Sequence, residues 1–451
     1  MPFQLTTDLL QKIEQLIAKK DGHALKELLT DFHFADVAEI LEDLNSNDAT
    51  YLIKLLESEI TSEALMELDE DSREKILDRL SPKEIAEELS EMDTDDAADV
   101  VAELDDDIQQ QVIDKIEDED LAADIVELIS YDEKSAGGLM AKELVRVKET
   151  WTVAGCVREM RRQAKNVTRV HSIYVTDKEG KLKGRLSLKD LLTTSEKDHI
   201  SDVYIPKVDY VTVHTEGDEV ARVMQKYDLE AIPVIDEEGI LVGRITIDDI
   251  VDYIKDEAEK DYQLAAGISQ DVEADDSIFE LTKARLPWLI LGLLGGLASV
   301  FILQDFEHLM SDPEVKMLFF FTPLIAAMAG NVGVQSSAII VQGLANDIVK
   351  GSLLNRLIKE VGLSLINGIA LGALVILFGA IMQYSIAFSA TIAVSMLSVI
   401  IIAALIGTFV PIILDKRGID PAIATGPFIT TSNDIFGIFL FFYISKIILG
   451  F

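Results

Sequence analysis

The chain has 451 residues, of which 40 are basic and 79 are acidic, so its net charge at pH 7 is −39. Its single cysteine, Cys156, excludes an intrachain disulfide, and so acidic a chain is not expected to bind nucleic acid. Residues 281–451 carry nine basic and nine acidic side chains, so the whole negative excess lies before residue 281. These properties predict an acidic, soluble first part and an apolar, neutral second part.

The first predicted domain, residues 1–135, is helical. Apolar residues recur at helical spacing between acidic turns in FADVAEILEDL, PKEIAEELSEM, DDAADVVAELD and DLAADIVELIS. This repetition predicts helix-turn units that pack side by side into a superhelix, and the alternative is a plain acidic helical bundle. Because the N-terminus lacks the basic head and apolar core of a secretory signal, residues 1–280 are expected in the cytoplasm.

Residues 136–245 contain an internal duplication with an offset of 59, in which HSIYVTDKEGKLKGRLSLKDL (171–191) aligns with EAIPVIDEEGILVGRITIDDI (230–250). The sequence pattern of each copy predicts a strand, a turn, a second strand and then a helix that is capped by a side-chain hydroxyl. The pattern resembles a tandem pair of CBS domains, at about 136–200 and 201–245. That resemblance implies an adenine nucleotide such as ATP, held by Arg185, Ser187, Asp190 and Thr246. The alternative is that Ser187 and Thr246 only cap helices.

A polar connecting helix is predicted within residues 246–275. It presents Asp249, Asp252, Asp256 and Glu257, several of them on one face. Carboxylates crowded in this way repel one another unless a cation or a basic surface neutralises them. Only Lys255 and Lys260 lie close by in the sequence to do so.

Five membrane spans are predicted within residues 276–451, each near the roughly 20 residues that cross a bilayer. They are Leu286–Leu303, Met317–Ala345, Val361–Tyr384, Ala387–Leu414 and Ala422–Leu449. Basic residues lie before the first span and in the second and fourth connections, at Lys283, Arg285, Lys350, Arg356, Lys359, Lys416 and Arg417, whereas the first connection, QDFEHLMSDPEVK, is acidic. The positive-inside rule then places the N-terminal part in the cytoplasm and the C-terminus outside.

The second and fifth spans combine glycine with polar residues at membrane depth. The second carries Gly330, Asn331 and Gln335, and the fifth carries Gly426, Thr430 and Asp434. Asp434 lies about 18 Å from Ala422 along a helix, near the middle of the bilayer. A lone carboxylate there costs at least about 2.5–3.5 kcal/mol. Because no basic residue of the spans lies at that depth, a cation site is favoured over a protonated or hydrogen-bonded structural aspartate.

These motifs together resemble the MgtE family of magnesium channels. The resemblance rests on P-x6-GNxGxQ from Pro323 to Gln335, on Glu360 at the third span, on DPAxA-x-GP…ND from Asp420 to Asp434, and on the order of the domains. It implies a multidomain membrane protein with a superhelical N domain, α+β tandem CBS domains, a long connecting or plug helix and five transmembrane helices.

The resemblance also implies a homodimer in the cell membrane whose second and fifth spans enclose one Mg²⁺ pathway. Asp434 would bind the ion, and Gly330, Asn331, Gln335, Gly426 and Thr430 would line the pore. Cytosolic Mg²⁺ would close the channel by bridging acidic groups. The residues that align with those groups are Glu63, Asp95, Asp99, Glu216, Asp218, Asp228, Asp249, Asp252, Glu257 and Asp420. Lys260 departs from the family pattern, because an acid is expected there.

Other classes of protein stay open. An ion-coupled secondary transporter of Mg²⁺ or another divalent cation could use the same Asp434. A membrane-anchored sensor without transport would not need GNVGVQ and Asp434 inside the bilayer. An enzyme is not expected, since the chain has neither an HExxH motif nor a Walker loop.

Overall fold

The structure is a computed structural model, and it describes residues 3–164, 167, 169–270, 272, 274, 276–307, 313–345, 349 and 352–450. These residues form two compact units, Met1–Ile254 and Lys255–Phe451. Lys350 and residues 308–312 of the acidic connection, which support the predicted orientation, lie outside the described residues. Each unit is described separately below.

The first unit begins with ten short helices. They are α1 Thr7–Ala18, α2 Gly22–Leu29, α3 Phe34–Asp43, α4 Ser46–Ile53, α5 Ser58–Met66, α6 Glu70–Leu77, α7 Pro82–Leu89, α8 Thr94–Glu103, α9 Asp106–Ile113 and α10 Glu119–Ile129. Polar caps start many of them: the Ser81 hydroxyl accepts from the Glu84 amide, and the Glu84 carboxylate accepts from the Ser81 amide. Such caps satisfy the free amides of each first turn and so allow helices this short.

These helices stack as a superhelix. Helix α3 packs on α5, α5 on α7 and α7 on α9, while α4 packs on α6 and α8 on α10. Each of these five pairs joins a helix to the second one after it in the chain, which is the arrangement of a repeat protein. Their apolar faces form a continuous core that includes Leu25, Ile40, Leu52, Leu65 and Val100. The prediction of a superhelical N domain is confirmed.

Two three-stranded sheets follow, and they share one topology. The elements are β1 Val145–Lys148, α11 Val153–Gln163, β2 Ile173–Thr176, β3 Leu182–Leu186, α12 Leu188–Thr193, β4 Val211–Thr212, α13 Gly217–Tyr227, β5 Ala231–Ile235 and β6 Leu241–Thr246. In each sheet the first strand is parallel to the second, and the second is antiparallel to the third. The tandem CBS prediction is confirmed.

The two hairpins reproduce the duplication in detail. Their registers shift between Val175 and Thr176 in one copy and between Val234 and Ile235 in the other, at the offset of 59. Their turns contact each other, because the Leu182 amide donates to the Gly239 carbonyl and the Leu241 amide donates to the Gly180 carbonyl, both at 3.1 Å. The copies therefore pair turn to turn.

Residues 135–141 join the second sheet rather than the first. The Ala136 amide donates to the Thr215 carbonyl at 2.7 Å, and the Gly137 amide donates to the Val213 carbonyl at 2.9 Å. Ala141 also pairs with Arg244 of β6. The segment that leaves α10 is thereby fixed to the second CBS copy, and the helical domain shares a core with that copy.

The connecting helix α14, Ile247–Ala266, spans the boundary between the units. The second unit continues with α15 Ile278–Asp305, α16 Pro313–Leu318, α17 Thr322–Ala345, α18 Leu353–Ile381, α19 Ile386–Asp415 and α20 Gly426–Leu449. Among the described residues, five helices are long and apolar enough to cross a membrane. Helix α19 packs against α17, α18 and α20, and α15 packs against α20.

The helix limits refine the predicted spans. Helix α18 begins at Leu353, eight residues before the predicted Val361. The prediction counted only the apolar run, whereas the helix also includes the charged residues that precede it. Helix α20 begins at Gly426 rather than Ala422, since residues Pro421–Ala424 form a 3₁₀ turn capped by Asp420. Asp434 therefore lies about 12 Å from the first residue of its helix. The domain boundaries at 135, 245 and 275 stay predictions.

Candidate functional site

Asp434 lies on α20 where that helix meets α17, and it is partly buried. Gly330 of α17 faces it: a β-carbon at residue 330 would lie 3.8 Å from the Asp434 Oδ1 and 3.6 Å from the Thr430 Cγ2. The carboxylate and the Thr430 side chain thus lie close to the α17 backbone. This brings the predicted Gly330, Thr430 and Asp434 to one place.

The amides predicted to line a pore lie on one face of α17. Asn331 and Gln335 are one turn apart, and both are exposed. Asn331 directly follows Gly330, the residue that faces Asp434. Helix α17 therefore presents an exposed polar strip that begins one residue after the glycine that faces the carboxylate.

The start of α20 contacts the end of α14 within the second unit. Gly426 has φ +45°, and a β-carbon there would clash with the Ala265 carbonyl. A β-carbon at Gly267 would lie 2.9 Å from the Pro427 Cδ. Both positions therefore require glycine, and they bring the last turn of the connecting helix against the first turn of α20.

Two predicted metal ligands of the second unit have other partners. The Asp420 Oδ1 accepts from the Ala422 amide at 2.8 Å. The Glu257 carboxylate lies 3.7 Å from the Lys260 Nζ. Lys260, the departure from the family pattern, therefore neutralises part of the charge at Glu257.

An acidic cluster forms in the first unit around the start of α8. Asp95 is buried, and burial together with the charges of Asp96 and Asp249 raises its pKa well above the usual value. Burial and the charges of Asp249 and Asp93 raise the pKa of Asp96 to about 8. Partial desolvation and the charge of Glu133 raise the pKa of Asp99, which keeps access to solvent, to about 7. The cluster therefore disfavours its own ionisation.

Two further predicted ligands border this cluster. Asp249, in the first turn of α14, accepts from the Thr246 amide at 2.8 Å and from its hydroxyl at 2.6 Å. Burial and the charge of Asp93 raise the pKa of Glu63 on α5. Asp93 and Asp96 were not predicted from the sequence. The signal for them is the run DTDD at residues 93–96, of which only Asp95 was selected.

The remaining predicted ligands are exposed and lie elsewhere in the first unit. Asp218 accepts from the Tyr253 hydroxyl at 3.4 Å, and Asp228 ends α13 in the left-handed conformation with φ 50°. Glu216 is exposed at the start of α13, and Asp252 is exposed on α14. Within the described ranges, no three His, Cys, Asp or Glu side chains converge to hold a metal ion.

The predicted nucleotide residues lie at the ends of β3 and β6. Ser187 and Asp190 form a reciprocal cap on α12, with the Ser187 hydroxyl donating to the Asp190 carboxylate at 2.7 Å. Thr246 and Asp249 repeat this contact in the second copy. Arg185 is exposed, and the buried Tyr174 hydroxyl on the neighbouring strand β2 has no hydrogen-bond partner in the described chain.

Five apolar helices in the described part of the chain, a carboxylate within one of them and an acidic preceding region are features of a membrane transporter of cations. Three family models match the chain: "Divalent cation transporter" at residues 322–444, "MgtE intracellular N domain" at 32–134, and "CBS domain" at 136–197 and 200–256. The chain is 35% identical to the magnesium transporter MgtE of Enterococcus faecalis over 71% of its own length and 70% of the relative's. The chain belongs to the MgtE family of magnesium transporters.

Further relatives agree with this assignment. The magnesium transporter MgtE of Thermus thermophilus is 34% identical over 71% of this chain and 72% of the relative. The crystal structure of the cytosolic domain of the Mg²⁺ channel MgtE in complex with ATP matches 54% of this chain and all of that chain, with a TM-score of 0.52 and 35% identity. The N-terminal domain is therefore cytosolic, and transporter relatives are consistent with the expectation that the chain is not an enzyme.

Proposed function

We propose that this protein is a Mg²⁺-selective channel through which magnesium enters the cell down its electrochemical gradient. The observation that carries the proposal is Asp434, which faces Gly330 on the same helix that presents the exposed amides of Asn331 and Gln335. Mg²⁺ is a hard ion that keeps several of its waters, so it is bound by one or two carboxylates and by groups that hydrogen-bond to its waters. An aspartate next to an exposed amide strip provides these groups.

The driving force for entry is the membrane potential. A divalent ion that crosses 100 mV gains about 4.6 kcal/mol, twice the value of roughly 2.3 kcal/mol for one charge. Uptake driven by the membrane potential does not need a coupling ion. An odd number of candidate spans, five among the residues that the structure describes, together with a cytosolic N-terminal domain supports a C-terminus outside the cell.

We propose that the protein is a homodimer with Asp434 of both copies at one pathway. The support is an exposed apolar pair that recurs at the offset of 59: Leu188 and Leu192 on α12, and Ile247 and Val251 on α14. Leu192 is 85% exposed, and large apolar side chains in corresponding positions of both CBS copies are typical of an interface. A second copy of the chain would cover them.

We further propose that cytosolic Mg²⁺ closes the channel. The support is the cluster of Asp95, Asp96, Asp99 and Asp249, whose charges repel one another in a poorly solvated place. A divalent cation would relieve that repulsion. The more accessible acids Glu63, Glu216, Asp218, Asp228, Asp252, Glu257 and Asp420 would take part in bridges between elements or subunits. Helix α14, whose end contacts the start of α20, would transmit closure to the pore.

ATP is proposed as a ligand of the CBS domains. A related cytosolic domain, 35% identical, was crystallised with ATP. In this chain Arg185, Ser187, Asp190 and Thr246 flank strands whose Tyr174 hydroxyl is buried without a partner among the described residues. The capping contacts of Ser187 and Thr246 are compatible with either role, because a capping hydroxyl can still accept a hydrogen bond.

The test is Mg²⁺ current through the purified protein in a planar bilayer, with Asp434→Asn as the variant. We expect loss of current with an unchanged elution profile in detergent, because an amide of the same shape cannot supply the negative charge. The matched control is Asp415→Asn, an exposed acid at the end of α19, which should conduct normally. Normal current in Asp434→Asn would refute the pore assignment, and flux that requires a counter-ion gradient would favour the secondary transporter.

A further inference from the structure

Asn433, the residue before Asp434, is buried without the hydrogen bonds that its amide could make. Its side chain is 1% exposed. Neither its oxygen nor its nitrogen has a hydrogen-bond partner within the described residues. Burying an amide without partners is destabilising, so the stability of the helix bundle does not account for this residue.

The Asn433 amide occupies the space that a side chain on α17 would fill. A β-carbon at Gly333 would lie 3.0 Å from the Asn433 Cγ, closer still to its Nδ2, and 2.8 Å from the Ile429 Cγ2. Only glycine at residue 333 leaves this space free. The Asn433 side chain therefore fits against the α17 backbone as into a slot.

Helix α19 lies equally close to α17 on the other side of Gly333. A β-carbon at Gly407 would lie 3.1 Å from the Gly333 carbonyl carbon and closer to its oxygen. Helix α17 is thus held between Gly407 of α19 and Asn433 of α20, with backbone contact on one side and the amide on the other. At such close contact α17 and α20 cannot turn against each other without a clash.

The next turn of α20 repeats the close contact. A β-carbon at Gly437 would lie 3.0 Å from the Ala329 Cβ of α17 and 3.3 Å from the Val399 Cγ1 of α19. Contacts at Asn433 and Gly437, one turn apart on α20, define one rotational setting of the helix. In that setting Asp434 faces Gly330.

We propose that Asn433 is a positioning residue for Mg²⁺ transport: its amide, seated in the slot at Gly333, fixes the rotation of α20 and so directs the Asp434 carboxylate toward the ion pathway. This inference rests on the proposed function of Asp434. Asn433 itself does not touch the ion. Its effect is geometric, because a rotation of α20 by a fraction of one residue's roughly 100° moves the carboxylate sideways along α17.

The experiment measures concentration-dependent Mg²⁺ flux and the ratio of Co²⁺ to Mg²⁺ flux in liposomes that contain the full chain. The variants are Asn433→Ala, Gly333→Ala and the double variant. We expect each single variant to raise the KM for Mg²⁺ on the order of tenfold and to change the flux ratio, since misplaced groups of this kind lose activity steeply. In the double variant the methyl group introduced by Gly333→Ala occupies the space that the Asn433 amide leaves, so both values should return part of the way toward wild type, with the remaining difference due to the contact of that methyl group with the Ile429 Cγ2.

Gly362→Ala is the matched control, because a β-carbon at Gly362 on α18 has no atom within 4 Å, and it should behave as wild type. If Gly333→Ala does not fold, Asn433→Ala alone decides, since it only removes atoms. A fall in maximal flux of Asn433→Ala with unchanged KM and flux ratio would show that Asn433 is purely structural and would overturn the inference. The inference would also be overturned if the effects of the two single variants on KM simply added in the double variant. Wild-type flux in Asp434→Asn would instead overturn the proposed function and the inference with it.

Discussion

Glu88 shows how one buried carboxyl can make the stability of a helical repeat depend on pH. It lies on α7, is 7% exposed, and accepts hydrogen bonds from the Thr61 hydroxyl at 2.6 Å and from the Ser58 hydroxyl at 3.3 Å. Burial raises its pKa from 4.5 to about 7, against the opposing effect of the two hydroxyls. The folded state therefore favours the protonated carboxyl.

Glu88→Gln is predicted to flatten the dependence of stability on pH. Because the folded pKa lies above the unfolded pKa, the stabilisation is complete below about 4.5 and is lost as pH rises through about 7. The loss is on the order of 3 kcal/mol. Glutamine keeps the shape and one acceptor oxygen of the carboxyl, and its NH2 group donates where a protonated carboxyl would, but it does not ionise. The variant should therefore be more stable than wild type at about pH 8 and similar at about pH 4.5. Urea unfolding of residues 1–266 at both values measures this.

Glu84 on the same helix provides the control of opposite sign. The Ser81 amide and the Lys54 ammonium lower its pKa to about 2, so its charged form stabilises the fold at neutral pH and that stabilisation is lost as pH falls toward about 2. Glu84→Gln should therefore destabilise the fold at about pH 8. A pH profile of Glu88→Gln that parallels wild type would contradict the burial argument.

At the scale of elements, local sequence pattern predicted most of the CBS module. The offset of 59 identified both hairpins, and the turns at Gly180 and Gly239 share positive φ values of 89° and 83°. The segment 135–141 could not be predicted in the same way, because its partners Thr215 and Arg244 lie about 80–100 residues further along the chain and no local pattern specifies so distant a pairing.

In the candidate sites, too, some residues could be predicted from local sequence and others could not. The position of Asp434 within an apolar run and the glycines of GNVGVQ are local signals, and they suffice to single out α17 and α20 as the helices that carry polar groups at membrane depth. Asn433 and Asp96 were missed because their importance depends on burial by other helices. One side of a helix cannot be recognised as crowded until its neighbours are known.

Asp96→Asn on α8 is predicted to stabilise the first unit without Mg²⁺ and to reduce the stabilisation that Mg²⁺ provides. Asparagine resembles the protonated side chain that burial and the charges of Asp249 and Asp93 favour at residue 96, so folding at neutral pH no longer requires uptake of a proton there. A gain of about 1 kcal/mol would raise the melting temperature by roughly 2–4 °C in a unit of this size. Thermal unfolding of residues 1–266 with EDTA and then with saturating Mg²⁺ measures both effects.

Asp106→Asn controls for net charge, because Asp106 is exposed on α9 and its loss lowers the negative charge equally. It should not raise the melting temperature, because Asp106 lies in the first turn of α9, where a negative charge is favourable, and it should leave the Mg²⁺ response unchanged. If Asp96→Asn responds to Mg²⁺ as strongly as wild type does, the cluster at α8 is a solvated acidic face and not a cation site.

At the scale of the whole molecule, the uneven distribution of charge affects whether two copies of the chain can associate. A net charge of −39 concentrated before residue 281 opposes close approach of two copies. The repeated apolar pairs on α12 and α14 are the features that favour it. Their burial would contribute about 25 cal/mol per Å² of apolar surface, and bound cations would reduce the repulsion. Assembly and Mg²⁺ binding should therefore reinforce each other.

The double variant Leu192→Asp, Val251→Asp is predicted to separate the cytosolic dimer. Leu192 is 85% exposed and Val251 is 54% exposed, so aspartate at these positions leaves each monomer folded but places four like charges in the proposed interface. Light scattering of residues 1–266 after gel filtration should change from dimer to monomer mass, with an unchanged circular dichroism spectrum.

Val126→Asp on α10 is the matched control. Val126 is 50% exposed and lies outside the CBS domains, so this variant should leave the mass unchanged. Since Mg²⁺ is expected to strengthen assembly, added Mg²⁺ should shift wild type further toward dimer, and a double variant that stays dimeric under both conditions would place the interface elsewhere.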